Sequence, residues 1–209
     1  MRINNEPTFK GINVAKAANK NMKIYDVTSR DVGFLEDIYK FVKIKKLMPN
    51  ISLEGEKVYD SIMKQGLRSA QSQFSHAMLL SYDDTVCGLM VDIPYSSKQY
   101  LDYLCTWPVK KDEKAPFGAQ TLFQQLFKNF LNTDKPTLEL DAIRYGKAIT
   151  LYQRLGFKPV GGDAYYETMR ATRDKVREVF QNLQKKIPLI AVDDSKDVDL
   201  HAELNIPTA

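Results

Sequence analysis

The sequence is poor in the residues that staple or anchor unusual folds. It holds two cysteines, two histidines and one tryptophan in 209 residues. Cys87 and Cys105 lie in apolar, extended-looking runs with neither metal-type nor redox-type spacing. That pattern excludes a disulfide scaffold and a cysteine metal centre, and it points to two buried free thiols. Long hydrophobic runs are missing too. The longest, IPLIAV and VCGLMV, fall far short of the roughly 20 residues that cross a bilayer, and MRINNEPTFKGINVAKAANKN at the start contains no apolar signal core. The expectation is a soluble, cytoplasmic protein with no membrane partner. Net charge is slight, +4, so it gives no argument for nucleic acid. Lysines gather at FVKIKK, VKKDEK and QKKIP, but without the interleaved aromatics of a recognition motif, and nucleic acid is not expected as a partner.

What is present is material for a core. With 44% hydrophobic residues, 11 Tyr and 10 Phe, the chain can bury one full domain and is unlike a disordered one. Residues 1–21 are polar and aperiodic and read as an N-terminal extension. Residues 22–170 carry the patterned elements. Residues 171–209 read as an extra helix, ATRDKVREVFQNLQKK, and an acidic tail outside the main architecture, where Asp193, Asp194, Asp197, Asp199 and Glu203 face Lys196 alone. Two extensions of this kind suit a homodimer interface, a cover over the site, or mobile arms.

Within the patterned region, Ile24, Tyr25 and Val27 open a strand. Ser29 or Asp31 caps a helix whose apolar stripe is Phe34, Leu35, Ile38, Tyr39 and Val42. Pro49, Asn50 and Gly55 break it, and EKVYDSIMKQGLRSAQS reads as a second helix interrupted by Gly66. An antiparallel hairpin turns at DDT inside SHAMLLSYDDTVCGLMVDIPY. A third strand, QYLDYLCTWP, alternates with Asp102, Leu104 and Thr106 on one side and Tyr103, Cys105 and Trp107 on the other. A lysine-rich loop then enters a helix with Leu122, Phe123, Leu126 and Phe130 in one stripe. The strand TLELDAI, the helix YGKAITLYQRL stopped by Gly156, and the strand pair FKPV and AYYETM follow, with no internal repeat.

In AITLYQRLGF, Tyr152 shares an otherwise apolar helical stripe with Ala148, Leu151 and Leu155. One reading packs the ring in the core and ties the hydroxyl to backbone. The other uses chemistry: a phenol with reference pKa near 10 is protonated at neutral pH and can donate to a departing thiolate.

These residues carry a resemblance. MKIYDVTSRDVGFLEDIY is similar to the opening of the GNAT superfamily of acyl-CoA-dependent N-acetyltransferases, YDDTVCGLMV to its hairpin, and AITLYQRLGFKPVG to its A-x-x-L-Y-x-x-L-G-F ending. The resemblance implies a mixed α/β (α+β) fold around a splayed, mostly antiparallel sheet flanked by helices. It implies acetyl-CoA as co-substrate, held where two central strands diverge, and direct acetyl transfer to a primary amine in a ternary complex with Tyr152 as general acid. The amine is of unidentified type, a small molecule or a protein amine.

The resemblance also assigns candidates for cofactor binding. Leu104, Cys105 and Thr106 offer strand backbone to the pantetheine amides. The family's phosphate loop, Q/R-x-x-G-x-G/A, has its best match in KAPFGA: Lys114 takes the basic position, Phe117 replaces the first glycine, Gly118 is retained and Ala119 ends the motif. The loop also runs about three residues longer than the family habit, and Lys110, Lys111 and Lys114 can supply charge where backbone contacts are lost. Tyr145 stands where the family has an asparagine, which turns attention to Tyr145 itself, Arg144 and Lys147. For the base the candidate is Asp102, with Glu139, Asp141 and Asp92 as competitors. Cys105 as a nucleophile is disfavoured, since only His76 and His201 exist to activate it. Phe117 and Tyr145 motivate an alternative from another class, a catalytically inactive GNAT-like binding module.

Overall fold

The computed structural model of the chain describes residues 10–18, 21–27, 31–192 and 197–207. From the N-terminus, β1 (Lys10–Ala17) and β2 (Met22–Val27) lead to α1 (Val32–Phe41), the single turn α2 (Ile44–Leu47) and the long α3 (Leu53–Ala70). Of the two capping residues expected for α1, Asp31 immediately precedes it and Ser29 lies outside the described residues. The second helix starts three residues before the expected Glu56, and Gly55 does not break it. Ser52 is the reason: its Oγ accepts the Gly55 N–H at 3.0 Å and satisfies one of the orphan donors of the first turn. Gly66, expected as an interruption, instead lets α3 lie close to the sheet, since a Cβ there would meet the Tyr103 Cβ at 3.2 Å.

The hairpin of β3 (His76–Tyr82) and β4 (Thr85–Pro94) forms as the sequence predicts. Asp83 and Asp84 make its two-residue turn, both at positive φ (48° and 56°), the mirror-image geometry that matches strand twist. β5 (Gln99–Thr106), α4 (Gly118–Leu131), β6 (Thr137–Ile143), α5 (Ala148–Arg154), β7 (Lys158–Gly162), β8 (Tyr166–Thr172) and α6 (Arg173–Lys186) follow. The helix α5 stops at Gly156, whose φ of +91° a side chain would strain.

The ten-stranded sheet runs β10-β1-β2-β3-β4-β5-β6-β8-β7, counting β9 (Leu189–Ala191) and β10 (Asp197–Asp199), both of which pair with β1. Every pairing is antiparallel except that of β5 with β6. Helices cover both faces. On one face Phe34, Leu35 and Ile38 of α1 and Leu47 of α2 share a core with Leu79 of β3 and Trp107. Under α4 and α6 lie Leu122, Phe123, Leu126, Phe130 and Phe157, and the stripe expected on α4 is wholly buried.

The described parts of the two expected extensions differ from their expected roles. Residues 10–17 form a strand within the sheet rather than an arm. Of the acidic tail, Asp193, Asp194 and Lys196 lie outside the described residues, and residues 197–207 return to the body: β10 pairs with β1, Leu200 of the short helix α7 (Leu200–Glu203) and Leu204 are buried in the α1–α3 core, and the Asn205 carbonyl accepts from the Val86 N–H at 2.9 Å. Among the described residues no helix is long and apolar enough to cross a membrane.

Candidate active site

The parallel pair β5–β6 opens into a cleft. Their register runs only from Gln99 opposite Leu138 to Leu101 opposite Leu140, whereas β5 stays paired with β4 as far as Thr106. Beyond Leu101 the β6-facing edge of β5 is therefore without strand partners. Two cavities of about 290 Å³ each fill the opening, and they share Val58, Ile62, Leu104, Ile143 and Tyr152 as common walls. Tyr152 stands where they join.

One cavity takes its walls from the residues expected around the cofactor. Leu104, Cys105, Thr106, Ala119, Tyr145 and Lys147 line it, with Val58, Tyr59 and Ile62 of α3 opposite. Phe117 adopts the left-handed conformation (φ 61°, ψ 22°), so the strand-to-helix turn that the family builds with glycine is made here by a phenylalanine, half exposed at 50%. Gly118 behind it is buried against Leu80 and Thr106. The first intrahelical acceptor is the Phe117 carbonyl, bound by the Thr121 N–H at 2.9 Å, and α4 has neither a side-chain cap nor an acidic residue in its first turn. Its leading N–H groups and dipole thus favour an anion beside Ala119.

The extra length of the lysine loop folds on itself. Val109 N–H to the Glu113 carbonyl and Glu113 N–H to the Lys110 carbonyl, both 2.9 Å, close a turn in which Lys110 pairs with Glu113. Lys111 and Lys114 are exposed on this turn and outside the lining of either cavity. Arg144 is drawn off as well, by the Asp163 carbonyl and Glu167. Tyr145 reaches across the cleft to Ser52, oxygen to oxygen at 2.9 Å, and links the β6–α5 loop to the cap of α3.

The ring of Tyr152 packs edge-on against Phe123 and Phe157, with centroids 5.8 and 6.1 Å away. Its hydroxyl makes no hydrogen bond to any described residue, unlike a tyrosine tied down in a core. Burial pushes the phenol up to about 12, with Cys105 adding to it, so Tyr152 stays protonated well above neutral pH. Burial also pushes the Cys105 thiol up to about 12, which leaves it a poor nucleophile.

The second cavity adds Glu54, Lys57, Asp102, Tyr103, Asp141 and Tyr166 to the shared walls. Asp102 is the extra residue of a bulge, since Val91 faces Tyr103 while Asp92 faces Leu101. The bulge overturns the simple alternation expected for this strand. Leu101 and Leu104, three apart, both belong to the α4-side core, whereas Asp102 turns to α3, where Ser69 Oγ donates to its Oδ2 at 2.5 Å.

The competing carboxylates are engaged. Burial works upward on Glu139, but Lys98 and Arg170 outweigh it and hold its carboxyl below the usual range. Asp92 is buried between His76 and Gln99, and both oxygens of Asp141 accept, from Tyr100 and Thr168. The contributions of Tyr59, Ser52 and Ser69 were not anticipated. A helical stripe in α3 marks its buried side, but periodicity does not tell a cavity wall from a core wall.

No family model matches the chain, and no curated protein matches it in sequence. Solved structures do. It is similar to the PaiA N-acetyltransferase from Thermoplasma acidophilum in complex with coenzyme A at 17% identity, over 72% of this chain and 98% of that one, with a TM-score of 0.54. Apo FdhC, a nucleotide-linked sugar GNAT, is similar at 12% identity over 83% and 96%, TM-score 0.55. A variant of the spermidine N-acetyltransferase SpeG from Vibrio cholerae is similar at 14% over 75% and 96%, TM-score 0.51. The chain has the fold of the GNAT acetyltransferases, with their large, mostly antiparallel sheet flanked by helices.

Proposed function

We propose that the protein is an N-acetyltransferase that moves an acetyl group from acetyl-CoA to a primary amine by direct attack. The observation that carries this reading is the unbonded hydroxyl of Tyr152 at the junction of two cavities, one walled by an open strand edge and an uncapped helix N-terminus, the other by carboxylates. The residues fit the co-substrate. The free edge of β5 at Leu104, Cys105 and Thr106 can pair with pantetheine amides, and the start of α4 at Ala119, the residue of that turn that lines the cavity, suits a pyrophosphate with Lys147 nearby. Acetyl-CoA supplies an acyl group activated as a thioester.

The acceptor enters the second cavity. Asp102, with one oxygen held by Ser69, has the other for the proton of the incoming ammonium. As the amine nitrogen bonds to the acyl carbon and the carbon–sulfur bond breaks, Tyr152 gives its proton to the sulfur, and the second proton lost by the nitrogen restores the phenol, so the one proton released overall is that held by Asp102. N-acetyl transfer by PaiA and SpeG, and the coenzyme A of the PaiA structure, support the same reading.

Calorimetric titration with acetyl-CoA, followed by turnover with a panel of amines, tests it. Wild type and Tyr152→Phe should both bind, and the variant should lose about 10²-fold or more in kcat with its affinity retained. No heat from folded wild-type protein would sink the proposal. Binding without turnover of any amine would leave the chain a GNAT-like binding protein.

A further inference from the structure

A second phenol faces the cofactor cavity. Tyr59, on α3, lines it together with Tyr152 of α5 and Cys105 of β5. Tyr59 is half-buried, with its ring packed on the α1–α3 core, yet its hydroxyl makes no hydrogen bond to any described residue and is not sealed in the interior. Burial pushes it up to about 12, so it is a donor throughout the neutral range. Packing alone would be served by phenylalanine. A hydroxyl that borders the cavity with no protein acceptor is instead open to something that enters it.

The position narrows what that is. Tyr152 borders both cavities, but Tyr59 borders only the one that leads to Ala119 and the start of α4. Its partner therefore lies on the cofactor side of the reacting centre. The same cavity is lined by Leu104 to Thr106 of β5, beyond the end of its pairing with β6, so an extended chain with amide groups held there meets strand donors and acceptors as well as the Tyr59 hydroxyl.

Resting on the acetyl-CoA reading above, we infer that Tyr59 is a binding residue for the acyl-pantetheine arm, its hydroxyl donating to a carbonyl oxygen of that arm while Tyr152 serves the departing sulfur. Tyr59 thus sets affinity for the part of the co-substrate that carries the acyl group, and Tyr152 sets rate.

Calorimetry on wild type, Tyr59→Phe and Tyr152→Phe tests the division, with two ligands: acetyl-CoA, and 3′-phospho-ADP, which lacks the arm. Tyr59→Phe should weaken acetyl-CoA roughly tenfold, the value of one neutral hydrogen bond, and leave both 3′-phospho-ADP affinity and the thermal midpoint unchanged. Tyr152→Phe should bind acetyl-CoA as wild type does. Equal acetyl-CoA affinity in wild type and Tyr59→Phe would overturn the inference, as would a parallel loss for both ligands, which would mean a displaced α3. Absence of acetyl-CoA binding by wild type is a different result, which removes the acetyl-CoA reading itself and this role with it.

Discussion

Phe117 holds a conformation that costs a side-chain-bearing residue roughly 1–2 kcal/mol and glycine nothing. The strain lies at the turn into α4, where the backbone must reverse to aim its first N–H groups at the cleft. Phe117→Gly should therefore stabilise the protein, by up to about 1 kcal/mol after the greater freedom of glycine in the unfolded chain is counted. Phe117→Ala, still strained, should show no such gain, and thermal unfolding of the two variants checks the difference. The sequence shows that a glycine is missing here but not that the loop keeps the glycine conformation regardless, because φ is imposed by what anchors the turn on either side. Tyr152 is the reverse case. Its place on a stripe is local and legible, while the absence of a hydrogen-bond partner depends on residues from other elements, among them α3, α4, β5 and β6.

At the scale of elements, a polar chain crosses four strands at the end of the sheet where β5 and β6 are still paired. Asp26 of β2 accepts one ring nitrogen of His76 in β3 at 3.0 Å, Asp92 of β4 takes the other at 2.9 Å, and Gln99 of β5 donates to Asp92 at 2.6 Å. Burial works downward on the imidazolium, but the two carboxylates outweigh it and hold His76 up to about 10. The folded value lies above the unfolded one, near 6.5. The stabilisation is therefore complete below about pH 6.5 and is lost as pH rises through about 10. Urea midpoints should fall from pH 6.5 to pH 10, and the fall should shrink in His76→Gln; an identical pH profile in the variant would refute the linkage. None of this was legible in the sequence, where residues 26, 76, 92 and 99 are strangers. The bulge at Asp102 escaped for the same reason, since it is a mismatch of count between β4 and β5 and leaves no local mark.

Across the whole molecule, the tail and the first strand finish the sheet and seal the α1–α3 core. Leu200, fully buried, sits with Phe34 and Val86 in that core, so Leu200→Ala should cost about 2–5 kcal/mol in urea unfolding despite its place near the acidic end. A loss below about 0.5 kcal/mol would show the tail to be a loose attachment. Composition misread this region because charge density is a property of a segment, whereas a few apolar residues in register with a distant core decide whether the segment folds. By itself the sequence determined the stripe of α4 and that of α1 apart from Tyr39, which is exposed, together with the Asp83–Asp84 hairpin, the order of elements and the GNAT-like ending around Tyr152, since each follows from spacing along a short stretch of backbone. Only the tertiary structure decided which way Asp102 faces, that Tyr59 and Tyr152 line one cavity, that Lys111 and Lys114 stand away from it, and that residues 10–17 and 197–199 belong to the sheet. Those outcomes depend on register and packing between residues far apart in the chain, and no local pattern encodes them.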